Sequence, residues 1–355
     1  MSKSKLPLIS SVFICVHLCF ICGLIENTSV LARNPVLKNI NINVRRAIAL
    51  VPISRLKAIV RLQNIELPPP KVSGEATLPI RLLEGGQVWT IDLKLGEKSA
   101  RYLVDTGAAT SMIATQLSRE LNLKGTSIPG ERVQFAVAGN DCLNMDATLY
   151  RLPTINAQTA QINDLMVLEL SKTVIPDGLT GVLGMDFFRQ FDLIINPQKQ
   201  QLQLLSPSQL PIAEKTRAIP LQGKLGVMLA EVEINGKGPF TFLIDTGAES
   251  IFISQEVADK LAIASSKMQD ISVQGFCGLE PAKSLTLDQV KMQNYQLNNL
   301  EAVVLNTSVL KVLAVDGILG QNFLNQFIQH WRFEQPVNGK FPERGSLVLT
   351  PLKTQ

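Results

Sequence analysis

The sequence predicts a mainly β protein made of two similarly folded lobes in a single chain. Three observations carry that prediction: blocks that recur once at near-constant spacing, alternating apolar and polar runs in each copy, and a proline-bearing stretch between the copies. With 355 residues, 46% of them hydrophobic, the chain can bury a large core, so disorder is excluded.

The recurrence is specific. Tyr102-Leu103-Val104-Asp105-Thr106-Gly107-Ala108 is echoed by Phe242-Leu243-Ile244-Asp245-Thr246-Gly247-Ala248. Gly181-Val182-Leu183-Gly184 through Phe191 returns as Gly317-Ile318-Leu319-Gly320 through Phe327, and Leu78-Pro79-Ile80 as Ile219-Pro220-Leu221. A given four-residue string arises about once in 10⁵ positions, so two copies with matching flanks in the same order are a duplication.

Each copy reads as β. Gln87 to Leu95 and Met228 to Ile234 alternate apolar and polar residues and end in turns, Gly96-Glu97-Lys98 and Asn235-Gly236-Lys237-Gly238. A second strand then leads into each Asp-Thr-Gly-Ala. Short helices are expected over Thr115 to Leu123, over Gln255 to Leu261 and just after Gly184 and Gly320. Leu193-Ile194-Ile195 and Leu347-Val348-Leu349 have strand character.

The prolines of Ser206-Pro207-Ser208-Gln209-Leu210-Pro211 remove backbone donors and mark a linker. The expected organisation is a first lobe over 72–206, a linker over 207–214 and a second lobe over 215–355. Pro68-Pro69-Pro70 marks the boundary ahead of the first lobe.

Residues 1–32 have the layout of a secretory signal: Lys3 and Lys5, an apolar run from Leu6 to Ile25, then Val30-Leu31-Ala32 as a small-residue cleavage site. Export to a periplasmic or extracellular location is expected. An uncleaved anchor, and membrane association through this segment, is the alternative, because the run is close to bilayer-spanning length. Residues 33–71 form a basic, partly helical pro- or linker segment. Arg55, Lys57 and Arg61 flank Ile53, Leu56, Ile59 and Val60 at helical spacing, and Glu66 is the segment's one acid.

Cysteine and histidine usage narrows the chemistry. Beyond the signal the chain keeps Cys142, Cys277 and His330. That set provides no zinc-type spacing and no disulfide framework, so no metal and no cofactor is expected. His330 carries no accompanying nucleophile signature and reads as structural.

A duplicated Asp-Thr-Gly has a chemical logic. Copies packed about a pseudo-twofold axis bring equivalent residues together, and two carboxylates about 3 Å apart cannot both ionise. They share a proton, so one serves as base and the other as acid. Gly107 and Gly247 permit a sharp backbone path, and the Thr106 and Thr246 hydroxyls can bond across the axis.

On these motifs the sequence resembles the retropepsin-like aspartic peptidases, in a bacterial form with both repeats fused, over nearly all of residues 76 to 350. The resemblance implies a bilobal acid-protease fold of two retropepsin-like β-barrel lobes with Asp105 and Asp245 catalytic. It implies that Thr106 and Thr246 form an interlobe clasp, that Gly107, Ala108, Gly247 and Ala248 shape the active-site turns, and that Leu183-Gly184 and Leu319-Gly320 pass beneath them. The implied partner is a peptide or protein substrate, with no nucleic acid, acted on by a monomer. A hairpin flap is implied in each lobe, with tips at Ala138 and Gly139 and at Gly275 and Phe276.

Departures from the family pattern matter. Met185 and Gln321 stand where viral members often carry Arg, so the viral ion-pair network is absent. Ala108 and Ala248 replace the Ser or Thr of pepsin-like enzymes and cannot donate a hydroxyl to the carboxylates, which predicts activity at weakly acidic to near-neutral pH. Cys142 and Cys277, just beyond the flap tips, are either a bridge across the cleft mouth or two free semi-buried thiols. Glu249, where the first copy has Ala109, is either a substrate-backbone contact or a solvated edge. The rival to an endopeptidase is a peptide-binding module that keeps the cleft without catalysis.

Overall fold

A computed structural model describes residues 53–55, 59–62, 65, 67–136, 145–171, 175–275, 278–305, 308–335 and 341–353. Contacts divide the chain into Met1–Leu50 and Val51–Gln355, and the described residues all belong to the second unit. The signal segment, Ala138, Gly139, Cys142, Phe276 and Cys277 lie outside the described residues.

Each repeat opens on an antiparallel meander. In the first, Ala76–Leu82, Trp89–Leu95 and Lys98–Val104 pair in sequence, with Ile80 opposite Ile91 and Leu93 opposite Ala100. In the second, Ile219–Lys224, Val227–Ile234 and Lys237–Ile244 do the same. The alternation seen in the sequence becomes inward Ile91, Leu93, Tyr102, Val232 and Phe242, all buried, against outward charged neighbours. Asn235 and Gly236 make the second meander's turn at positive φ, a conformation that asparagine and glycine tolerate best.

Helices Thr115–Glu120 and Gln255–Lys260 follow the two Asp-Thr-Gly turns. Ser254 caps the second by accepting from the Val257 N–H. One-turn helices Met185–Phe188 and Gln321–Leu324 follow the glycine blocks and bury Phe187, Phe188 and Phe323. At roughly 1.5–3 kcal/mol per fully buried large apolar side chain, these aromatics hold the supporting strands against the core.

The repeats share one antiparallel sheet. Its strands run in the order Ala76–Leu82, Gln201–Leu205, Asp192–Asn196, Phe327–Phe333, Arg344–Pro351, Ile219–Lys224. At its centre Ile194 stands opposite His330, and these two occupy equivalent places in the two repeats, so the pseudo-twofold axis passes between them. His330 is thereby committed to the shared sheet. Burial, with Arg332 nearby, pushes it down to about 4 and keeps it neutral.

The linker is tied to this sheet. Asp192 accepts from the Ser208 amide at 2.9 Å and from its hydroxyl, while Arg332, itself buried, donates to Glu214 at 2.9 Å.

One expectation is corrected. The helix anticipated around Ile53, Leu56, Ile59 and Val60 is not what the described residues form, because Ile53–Arg55 and Ile59–Leu62 are strands. Three of those four apolar residues are β-branched, and strand partners elsewhere in the chain outweigh a local helical spacing.

Candidate active site

Strand Lys98–Val104 delivers Asp105 and strand Lys237–Ile244 delivers Asp245, each at the start of a tight turn. Each delivering strand lies beside its own glycine block in parallel, Leu103 opposite Val182 and Val104 opposite Leu183, then Leu243 opposite Ile318 and Ile244 opposite Leu319. The Asp105 amide donates to Leu183 O at 3.1 Å and the Asp245 amide to Leu319 O at 3.0 Å. On the far side of each turn, Met185 N donates to Ala108 O and Gln321 N to Ala248 O, both at 2.8 Å. Each turn is therefore pinned on both sides, which explains why the glycine blocks recur with the Asp motifs.

Both carboxylates are almost completely buried, at 0% and 2% exposure. Burial of a carboxylate is tolerated when donors meet it. Oδ1 of Asp105 accepts from the amides of Gly107 (2.9 Å) and Ala108 (3.0 Å), and Oδ1 of Asp245 accepts from Gly247 N at 2.7 Å.

The turns meet across the axis. The Asp105 carboxylate lies against Gly247 and that of Asp245 against Gly107, so closely that a Cβ on either glycine would fall on the opposing carboxylate. The Thr106 amide donates to Thr246 Oγ1 and the Thr246 amide to Thr106 Oγ1, both at 3.0 Å. Each hydroxyl in turn donates across the axis at 2.9 Å, Thr106 to Ile244 O and Thr246 to Val104 O. Four fully buried hydrogen bonds thus set the two turns in register. Thr106→Val should leave the Thr246 N–H and Ile244 C=O without these partners, at about 1–3 kcal/mol each, whereas Thr106→Ser should retain both bonds. Denaturant unfolding of the two variants checks this.

Residues that sequence reasoning did not single out brace the turns. Ser111 donates from its hydroxyl (2.6 Å) and its amide (2.8 Å) to Asp186, and accepts from Gly184 N at 3.0 Å. In the second repeat the fully buried Gln321 donates from Nε2 to Thr246 O at 2.9 Å. The position that lacks the viral arginine therefore still supports the turn. Ser111 and Asp186 stand at different offsets from the Asp-Thr-Gly and have no matching pair in the second repeat, so no sequence signal linked them. Glu249 is 7% exposed, which removes the solvated-edge reading, and its carbonyl accepts from Asn322 N at 3.0 Å.

Loss of hydration pushes Asp186 up to about 6, against the pull of its Ser111 and Phe187 donors. A carboxyl whose folded pKa exceeds its unfolded value destabilises the fold above the folded pKa, and that penalty disappears as pH falls through about 6 towards 4. His330, held low by burial, has the opposite sign: its contribution is present above its unfolded pKa and is lost as pH falls towards 4. The two nearly oppose each other over one window. His330→Gln should therefore turn a flat stability profile into one that rises from pH 7 to pH 4.5, by on the order of 2 kcal/mol, as thermal melts across that range would record.

Of the flap residues expected from the sequence, Gly275 is described. It ends strand Gln269–Gly275 and stands opposite Gly278 at the head of Gly278–Met292, forming the last pair of a long hairpin. In the first repeat Val133–Ala136 ends where the described residues stop.

Family models match both repeats. One described as "Aspartyl protease" covers residues 91–187, and one described as "gag-polyprotein putative aspartyl protease" covers residues 230–326. The chain belongs to the retropepsin-like aspartic peptidase family. Two domains of that family stand in tandem, and the chain is protease-like in family and in its bilobal, mainly β fold. Among solved structures, the retropepsin-like chain is similar to a retropepsin-like aspartic protease from Rickettsia conorii at 20% identity, covering 37% of this chain and 89% of that one with a TM-score of 0.27. It is also similar to an aspartic proteinase from Irpex lacteus at 12% identity, covering 78% of this chain and 98% of that one with a TM-score of 0.47. No curated protein sequence matches it. Among the described residues of this family member there is no cluster of three or more metal-ligating side chains and no helix long and apolar enough to cross a membrane.

Proposed function

We propose that the chain is an aspartic endopeptidase in which Asp105 and Asp245 activate one water molecule against a peptide bond. The observation that carries this reading is the mutual packing of each carboxylate against the opposite turn's glycine, locked by the threonine clasp. Two carboxylates so placed share one proton. The ionised member takes a proton from the water as it attacks the scissile carbonyl, the protonated member donates to the carbonyl oxygen, and the proton passes to the amine as it leaves. The buried turn fixes both groups in advance, so little reorganisation accompanies the reaction.

The substrate in this reading is an extended peptide held under the flaps as an added strand. Neither Ala108 nor Ala248 brings a hydroxyl to the carboxylates. Activity should therefore peak between weakly acidic and neutral pH, and a pH–rate profile peaking near 2 would overturn that expectation. Cleavage of a fluorogenic peptide library by the purified chain, sensitive to pepstatin, tests the function. Peptide binding without cleavage would instead support a non-catalytic binding module.

A further inference from the structure

Residues ahead of the first lobe lie along both flap strands. Ile53–Arg55 runs parallel to Gln269–Gly275, with Ile53 opposite Ser272 and Arg55 opposite Gln274. Ile59–Leu62 runs antiparallel to Val133–Ala136, from Ile59 opposite Ala136 to Leu62 opposite Val133. Downstream, Leu62, Leu67 and Pro70 line a cavity of about 710 Å³ whose other walls include Ala109 and Thr110, which follow the first active-site turn, and Gly226 of the second repeat.

The edges concerned are the ones an extended peptide needs. Gln269–Gly275 is bonded along one edge to Gly278–Met292 and along the other to Ile53–Arg55, so over Ser272–Gln274 both edges are filled. Among the described residues, Ile59–Leu62 is the one strand partner of Val133–Ala136. An unfilled strand edge of this kind captures extended chain through its main-chain donors and acceptors. A segment already seated there excludes a competitor that binds in the same way.

We infer that residues 53–62 are an autoinhibitory strap, a strand pair that occupies in cis the flap edges on which an extended substrate is captured, so that its removal activates the enzyme. This rests on the peptidase reading above. The tether is short, since strand Lys71–Ser73 is itself anchored to Ala160–Asn163. Such a tether gives the strap an effective concentration of about millimolar, enough for a weakly pairing strand to outcompete a dilute substrate.

The test uses the full chain with the recognition sequence of an unrelated site-specific protease inserted between Leu67 and Pro68. After cleavage and removal of the released segment, kcat/KM on a fluorogenic peptide should rise at least tenfold, and amide exchange should accelerate at Val133–Ala136 and at Ser272, Val273 and Gln274. A synthetic peptide of residues 51–67 should reverse both effects. An active enzyme whose kcat/KM is unchanged by removal, or exchange that stays slow at both edges, overturns the strap. If neither form cleaves any peptide, the peptidase reading fails on its own, and labelled pepstatin decides the strap: tighter binding to the cut form supports it, equal binding to both overturns it. Should the insertion disturb folding, Val60→Pro with Leu62→Pro in the uncut chain removes two strand donors, and the same readouts apply.

Discussion

Replacing either Asp105 or Asp245 by Asn should reduce kcat by at least 10²–10⁴-fold while leaving the fold intact, since a positioned acid or base contributes about that much. The argument is local. Asn retains the oxygen that accepts from the turn amides of Gly107 and Ala108, or of Gly247, so the turn keeps its hydrogen bonds. What it loses is the proton shared between two carboxylates, without which no base remains to take a proton from water. Circular dichroism and thermal melting should report near-native variants, and peptide hydrolysis should be the property that disappears. Hydrolysis that survived in both variants would sink the dyad.

Gly107→Ala and Gly247→Ala should be the next most damaging changes, and here fold and activity should fail together. In each, the added methyl coincides with the carboxylate of the opposite repeat. That carboxylate is held by short backbone bonds in a fully buried setting, so the clash cannot be relieved by a side chain swinging into solvent. Overpacking of this kind costs about 1–3 kcal/mol in an ordinary core. Here it also separates the turns that the threonine clasp holds in register, and displacement of a reacting group by about 1 Å can cost about 10²-fold in rate. Urea titration together with kcat should show both losses in both variants. A variant with wild-type kcat would mean that the turns do not meet as described.

Much of this site was legible in the sequence because it lies in short, uninterrupted strings. The Asp, Thr and Gly of each turn are contiguous, the glycine blocks recur at near-constant spacing, and a duplication announces its own symmetry axis. Helices Thr115–Glu120 and Gln255–Lys260 were readable for the same reason. What could not be read depends on residues far apart in sequence. Ser111 meets Asp186 across 75 positions, with one member of the pair in each block and no repeat of it in the second lobe. Gln321 replaces a family arginine by a side chain that braces the turn through an amide, and a single sequence does not distinguish that from loss of the brace. The strands at Ile53–Arg55 and Ile59–Leu62 were misread as helix because their spacing fits a helix locally, while the strand edges that decide the matter lie about 70 and 220 residues downstream.

The pairing of Ile194 with His330 at the centre of the shared sheet has a consequence for how such a chain can change. In an assembly of two identical subunits, the residue on the axis faces its own copy, so one substitution is made twice and a histidine there confronts a histidine. Joining the halves in one gene releases that constraint, and a titratable ring can sit against an aliphatic side chain. The same freedom operates beside the active site, where Ala109 and Glu249, or Met185 and Gln321, differ at matching places. A symmetric cleft must treat both ends of a peptide alike, whereas a fused one can give the amino and carboxyl sides of the substrate unlike surroundings.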